Sequence, residues 1–420
     1  MRRAGLGLAI GAILALTLLP SPSSPPTTFG CLICGSRGTA DAILNTLLFL
    51  PLGVTARLVW PAIGALLSAP VLSFLIEGLQ LFIPGRDASL GDLLFNSLGG
   101  GLGVLVLRGR HSLLRAAGAR AALLCGMGGL LASGVIGATG WLLQPALTRS
   151  PYYGQWTPDL GHLEAYGGEL LAARVARHPV PQGRSSRTDA LRRDLSAGAE
   201  VEVTAVVGPP TTALAPVFSI YDEREREILL LGADGSDLVF RMRRRASSAR
   251  LDAPDVRLAG ALRDARAGDT LRLSARHLST RGGERDRCLA AVPGRSACGV
   301  GPSAGEGWAL LFYPEHLGWL RGAVSAAWIG ALLIPVGFWL RGTLRPGPDP
   351  SRGTVRQGAR LALGLGAVLL PFVALAWVPR LTVLVRTPLR EYAGGVGGLL
   401  VGVLVALAAA RLGSRARGAR

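Results

Sequence analysis

Eight apolar runs, near residues 4–20, 40–58, 60–83, 91–107, 119–143, 317–340, 359–379 and 392–410, constrain this chain more than any other feature. Backbone N–H and C=O groups find no partner in hydrocarbon, so such runs cross a core about 30 Å thick as helices that satisfy their own backbone. The expected fold is a polytopic α-helical membrane protein with about eight transmembrane helices. Composition agrees, since only 17% of the 420 residues are charged, against about a quarter in soluble domains. The first run is borderline. Arg2 and Arg3 ahead of a short apolar core also describe a signal peptide, but PSPSSPP follows without a small-x-small cleavage site, which favours an uncleaved signal anchor.

The net charge of +18 changes meaning once it is located. Residues 148–316 hold 23 arginines and 21 acids, a net of +2, whereas the remainder holds 22 arginines and 6 acids, a net of +16. A nucleic-acid binder needs a basic folded face, and the near-neutral segment offers none, so nucleic acid is excluded as a partner. Arginine-rich short loops stay in the cytoplasm. Arg2 and Arg3, then Arg108, Arg110, Arg115 and Arg120, then Arg341, Arg345, Arg352, Arg356 and Arg360, then Arg411, Arg415, Arg417 and Arg420 fall on alternate sides of successive runs. Both termini are therefore expected in the cytoplasm, with residues 21–39, 84–90 and 148–316 outside a plasma membrane. Arg380, Arg386 and Arg390 depart from this pattern, because they lie in the outer loop before the last run.

Cys31, Cys34, Cys288 and Cys298 all fall in segments expected outside, where disulfides persist, and Cys125 lies inside a run. Close spacing favours Cys31 with Cys34 and Cys288 with Cys298. A C-x-x-C pair also serves redox and zinc chemistry, but no histidine or second C-x-x-C lies near it, so no metal or cofactor is expected.

Between 170 and 312 the hydropathy alternates with period two, as in VEVTAVV at 201–207, DLVFRMR at 237–243 and TLRLSAR at 270–276, with turn-forming stretches between. Seven to nine short strands without intervening helices imply an inserted extracytoplasmic antiparallel β-sandwich. The expected units are 1–39 (anchor and external linker), 40–116 (helical core), 117–147 (one helix), 148–316 (sandwich) and 317–420 (three helices). The pattern around 218–243 resembles concanavalin or laminin-G jelly rolls, which implies carbohydrate binding; a cap that binds nothing fits equally. Asp222, Asp234 and Asp237 are candidates for a calcium loop, though turn acids are commoner. His111, His162, His178, His277 and His316 are scattered and suit surface or packing roles.

Outside the sandwich there are six acids: Asp41, Glu77, Asp87, Asp92, Asp349 and Glu391. A carboxylate inside a membrane helix costs about 2.5 to 3.5 kcal/mol on insertion scales, so each is a candidate for function or for tying helices together. Ser73, Glu77 and Gln80 share one helix face; Asp92, Asn96, Gly99 and Gly103 share one face of the next. With Asn45 they converge in the outer leaflet. Arg86 and Asp87, in the connecting PGRDAS, lie at the same level, where Arg86 can neutralise an acid or take a phosphate.

The runs NTLLFLPLG (45–53), SFLIEGLQLFIPGR (73–86) and DLLFNSLGGGLG (92–103) resemble the VanZ-like family of membrane proteins. Asn45, Pro51, Gly53, Ser73, Glu77, Gln80, Arg86, Asp92, Asn96 and Gly99 coincide with the family pattern. The resemblance implies a cell-envelope protein; founding members are associated with low-level resistance to teicoplanin, a glycopeptide that binds cell-wall precursors. The implied partners are membrane lipid and a lipid-linked cell-wall precursor or glycan.

Two further patterns remain. The segment 379–405 has the layout of 84–106, an arginine-containing outer loop, an acid opening a helix and a glycine ladder, so a degenerate copy packed beside the first is one expectation and chance likeness of glycine-rich helices the other. The functional alternatives are an intramembrane enzyme with Glu77 and Asp92 as acid and base and Arg86 as phosphate anchor, a transporter with Pro51 and Pro70 as helix breaks, and a membrane-anchored glycan-binding protein.

Overall fold

The computed structural model describes residues 2–20, 30–86, 88–276, 287–312, 317–318, 320–345 and 354–418. Asp87, His277, His316, Asp349, Arg352 and Arg420 lie outside the described residues. Helices α1 (Arg2–Thr17), α2 (Gly38–Val59), α3 (Ala62–Gln80), α4 (Leu90–Leu114) and α5 (Gly118–Leu142) come first. The sandwich follows, with two short helices, α6 (Thr188–Ser196) and α7 (Arg245–Ser248), and the chain then returns as α8 (Leu320–Thr343), α9 (Thr354–Leu381) and α10 (Leu389–Gly418).

Among the described residues seven helices, α2 to α5 and α8 to α10, are long and apolar enough to span a membrane, which marks an integral membrane protein. The first run gives α1, whose 16 residues reach only about 24 Å at 1.5 Å per residue. It packs along α2 with Leu6 and Ile13 buried. Pro51 and Pro70 sit inside continuous helices and break neither.

The helices form two sets with one packing motif. In the first, α2 and α4 approach backbone to backbone: Gly53 faces the carbonyl of Gly100, Gly99 that of Thr46 and Gly103 that of Leu50. In the second, α8 and α10 repeat this: Gly337 faces the carbonyl of Leu399, Gly398 that of Gly330 and Gly402 that of Ile334. Pro51 stands two residues before Gly53 as Pro335 does before Gly337, and Asp92 seven before Gly99 as Glu391 does before Gly398. The glycine layout at 379–405 is thus used for the same contact, but the expected packing beside the first copy is corrected. Helix α10 packs chiefly on α8, and its closest neighbours do not include α2, α3 or α4.

Among the described residues the sandwich has two six-stranded antiparallel sheets, each strand hydrogen-bonded to the next in the orders that follow. One contains β4 (Gly183–Arg184), β1 (Tyr152–Trp156), β6 (Leu214–Asp222), β7 (Glu227–Asp234), β8 (Asp237–Met242) and β9 (Val256–Leu258). The other contains β12 (Ser296–Cys298), β11 (Cys288–Val292), β10 (Thr270–Arg276), β5 (Glu200–Val206), β2 (Glu169–Val175) and β3 (His178–Pro179). Twelve strands replace the expected seven to nine because β3, β4, β9 and β12 are too short to show an alternation. Strands β5 and β10 alternate buried and exposed, whereas β6 and β7 are buried almost throughout. Inward residues such as Tyr152, Val203, Phe218, Ile220 and Leu273 fill the space between the sheets.

Candidate functional site

The polar face of the first helical set is built at the start of α4. Ser89 caps that helix, its Oγ accepting from the Asp92 N–H at 3.0 Å, as an N-cap serine does for an otherwise unpaired donor. The Ser89 N–H in turn donates to Glu77 Oε2 of α3 at 2.8 Å, and Asn45 Nδ2 of α2 donates to Asp92 Oδ1 at 2.5 Å. One turn further along, Asn96 Nδ2 donates to Ser73 Oγ at 3.0 Å. Asn45, Ser73, Glu77, Asp92 and Asn96 therefore meet as expected, across three helices. Ser73, Glu77, Gln80, Ser89 and Asn96 are buried.

Two expected members face elsewhere. Gln80 Nε2 donates to the Thr17 carbonyl at 3.0 Å, and Arg86 donates to the Leu19 and Leu16 carbonyls at 2.9 and 3.2 Å. Both meet the end of α1, whose last carbonyls have no helical partner, Arg86 reaching Leu16 within the helix and Leu19 just beyond it. Arg86 forms no ion pair with Glu77 or Asp92, although its charge is near enough to act on Asp92. The expectation that Arg86 directly neutralises a buried acid is thus corrected. Ser89 is the member that residue spacing missed, since a cap becomes visible only once the helix start is known.

The acceptor side of the cluster is not exhausted. Gln80 Oε1 and Asn96 Oδ1 are buried without a partner among the described residues. On the same helices, α3 and α4 carry an open apolar groove of about 610 Å³, lined by Pro70, Phe74, Leu75, Leu90 and Leu94 and also by Leu32. Leu32 belongs to the Cys31–Cys34 disulfide loop, and the Cys31 carbonyl accepts from the Gly91 N–H at 3.2 Å. That loop is also tied to the sandwich: Arg37 pairs with Asp252 at 2.8 Å, the Thr39 N–H donates to the Arg250 carbonyl at 3.2 Å, and Arg250 donates to the Ile33 carbonyl.

In the second set the acid that opens α10 is fully buried. Glu391 accepts from Ser303 Oγ and, at 2.8 Å, from the Gly305 N–H; beside it Arg321 pairs with Glu306. The segment 303–308 thus saturates the position equivalent to Asp92.

In the sandwich, Cys288 and Cys298 face each other on β11 and β12 and are bonded. The candidate calcium acids go separate ways: Asp222 accepts from Arg226 and from the Arg224 N–H, Asp234 pairs with Arg257, and Asp237 accepts from the Gly260 N–H. Among the described residues no group of three or more His, Cys, Asp or Glu is placed to hold a metal ion. His162 touches its own loop at the Leu160 carbonyl and His178 lies 3.5 Å from Asp194.

A family model for VanZ/LLP1 proteins matches residues 7–114. Neither a curated protein nor a solved structure shows a significant match to the chain. The matched residues span α1 to α4, the unit that carries every member of the polar cluster, so residues 7–114 form a VanZ-like domain, to which this chain adds a β-sandwich and a second set of helices.

Proposed function

We propose that this is a cell-envelope protein of the plasma membrane whose α2–α4 cluster engages the head group of a lipid-linked envelope component at the outer leaflet, and so influences glycopeptide (teicoplanin) susceptibility. In this reading both termini are cytoplasmic and residues 148–316 stand outside. The carrying observation is that α3 and α4 carry both a buried cluster rich in acceptors and an apolar groove. Glu77, Asp92 and Asn96 Oδ1 suit hydroxyl, amide or ammonium donors, and the groove on α3 and α4 suits an alkyl or prenyl chain. The tie from the Cys31–Cys34 loop to Arg250 and Asp252 supports a sandwich that senses the same site. The enzyme reading loses support because Arg86, its phosphate anchor, is held by the carbonyls of α1. Teicoplanin susceptibility of cells producing Glu77→Ala, Asp92→Ala or a chain lacking residues 150–315 should differ from wild type in each case. A wild-type profile from all three overturns the proposal.

A second reading has its own observation. A cleft of about 760 Å³ on the sandwich is lined by Tyr153, Trp156 and Tyr221 together with Asp159, His162 and Glu223. Aromatic faces beside carboxylates suit a sugar ring, and the likeness in pattern to concanavalin-type jelly rolls points the same way. Glycan-array binding by the full chain that disappears in Trp156→Ala supports it; a blank array counts against it.

A further inference from the structure

The cleft on the sandwich is built on the outer face of one sheet. Strand β1 turns Tyr152 into the core, so by the period-two alternation Tyr153 and Gln155 stand on the opposite face. There Tyr153 is paired in register with Tyr221 of β6. The segment 157–164 lies against the same face, since Leu163 packs on Leu214, Leu230 and Val239, and it brings Pro158, Asp159 and His162 to the cleft. Its ends are fixed. The Thr157 N–H donates to the Val217 carbonyl at 2.9 Å, and the Glu164 carboxylate accepts from the Thr212 and Ala213 N–H groups, each at 2.7 Å. The Trp156 indole is held as well, its Nε1 donating to the Val180 carbonyl at 3.2 Å. With that nitrogen engaged, the indole has its apolar face to offer a ligand, in a cleft of about 760 Å³ whose walls are already in place.

The charge of this cleft runs against that of the chain. Its lining includes Asp159, Glu223 and Glu225, all exposed, the last two from the turn between β6 and β7. A fourth acid, Asp222, is paired with Arg226 at 2.6 Å. Among the described residues no arginine belongs to the lining, although the chain has a net charge of +18. Arg224, in the same turn, and Arg184, opposite Tyr153 on β4, stand outside it. A cleft lined by one sign of charge focuses its field on whatever enters. The acids are also spread out, since among the described residues no group of three or more His, Cys, Asp or Glu is placed to hold a metal ion. That spread suits cationic groups set along a chain better than one compact ion.

We propose that the cleft binds an oligosaccharide of amino sugars with free ammonium groups, its rings on Tyr153, Trp156 and Tyr221 and its ammonium groups on Asp159, Glu223 and Glu225. The inference rests on the glycan reading of this cleft and adds the sign of the glycan's charge; it is independent of the function proposed for the α2–α4 cluster. An ammonium near an aromatic face is attracted by the ring quadrupole, so the two kinds of lining act on one ligand. Gln155 and Gln182, also in the lining, supply amide groups for ring hydroxyls.

The test uses the full chain purified in detergent and two tetrasaccharides of equal length, one of glucosamine and one of N-acetylglucosamine. They are titrated by calorimetry at about pH 6, where amines and carboxylates are both charged. The glucosamine tetramer should bind at least about tenfold more tightly, and added salt should narrow the gap. Asp159→Asn, Glu223→Gln and Glu225→Gln combined should abolish the preference without moving the thermal midpoint, because all three side chains are exposed. Trp156→Ala should weaken both sugars, and Glu200→Gln, on the other sheet, should bind as wild type. Equal or tighter binding of the N-acetylated tetramer, or a preference that survives in the triple variant, overturns the proposal and leaves the glycan reading standing. Binding of neither tetramer overturns both. Pentalysine binding as tightly as the glucosamine tetramer marks a basic peptide as the occupant and likewise overturns the proposal.

Discussion

Replacing Gly99 by alanine tests the contact that assembles the cluster. An alanine Cβ would fall against the Thr46 carbonyl, 2.9 Å from its carbon and 3.0 Å from Thr46 Cα. The Thr46 carbonyl oxygen is nearer still, and comfortable contacts begin at about 3.5 Å, so α2 and α4 must part by about 1 Å. The Asn45 to Asp92 hydrogen bond, at 2.5 Å, would stretch toward the limit of a useful bond. Overpacking costs about 1 to 3 kcal/mol, and a weakened hydrogen bond adds up to about 1 kcal/mol. Gly101, two residues further on, meets nothing within 4 Å, so alanine there gains up to about 1 kcal/mol of helix propensity. Thermal unfolding in detergent should place Gly99→Ala several degrees below wild type and Gly101→Ala at or above it. Gly398→Ala should behave like Gly99→Ala, because it meets the Gly330 carbonyl in the same way. Equal midpoints for the Gly99 and Gly101 variants would refute the close-packed seam.

Three other outcomes follow from the geometry. Cys288→Ser with Cys298→Ser opens a bridge between residues 10 apart and should cost the sandwich about 2 to 3 kcal/mol, read as a lowered unfolding midpoint under non-reducing conditions. Asn96→Leu removes the bond to Ser73 and leaves a buried hydroxyl without its donor, which should destabilise by about 1 to 3 kcal/mol; an unchanged midpoint would mean that the pair does not hold α3 to α4. Glu164 has a carboxyl lowered below its usual pKa by the Ala213 and Thr212 N–H groups that donate to it at 2.7 Å. Its stabilising effect is present above the unfolded value and is lost as pH falls through the lower folded value, so the gap between wild type and Glu164→Gln should close on acidification below about pH 4.

The membrane fold was legible because its signals are periodic. Ser73 and Glu77 at helical spacing, and Asp92, Asn96, Gly99 and Gly103 at the same spacing, announce two faces that the structure brings together, while Gln80 turns to α1. Strands β5, β8 and β10 lie where the alternation put them. What escaped has physical reasons as well. Strands β6 and β7 are buried on both faces, which removes the alternation, and β3 and β4 are two residues long. Ser89 acts through a helix boundary that spacing does not reveal. Arg86 and Gln80 are drawn to the open carbonyls of α1, and a count of acids cannot foresee that competition.

The central claim is that the α2–α4 cluster holds a lipid head group, and the most direct measurement is mass spectrometry of the lipids that copurify with the full chain from its membrane. Wild type should retain a polar-headed lipid above its abundance in the membrane, and Glu77→Gln combined with Asp92→Asn should lose that enrichment while still folding. The same lipid profile from wild type and the double variant would contradict the account.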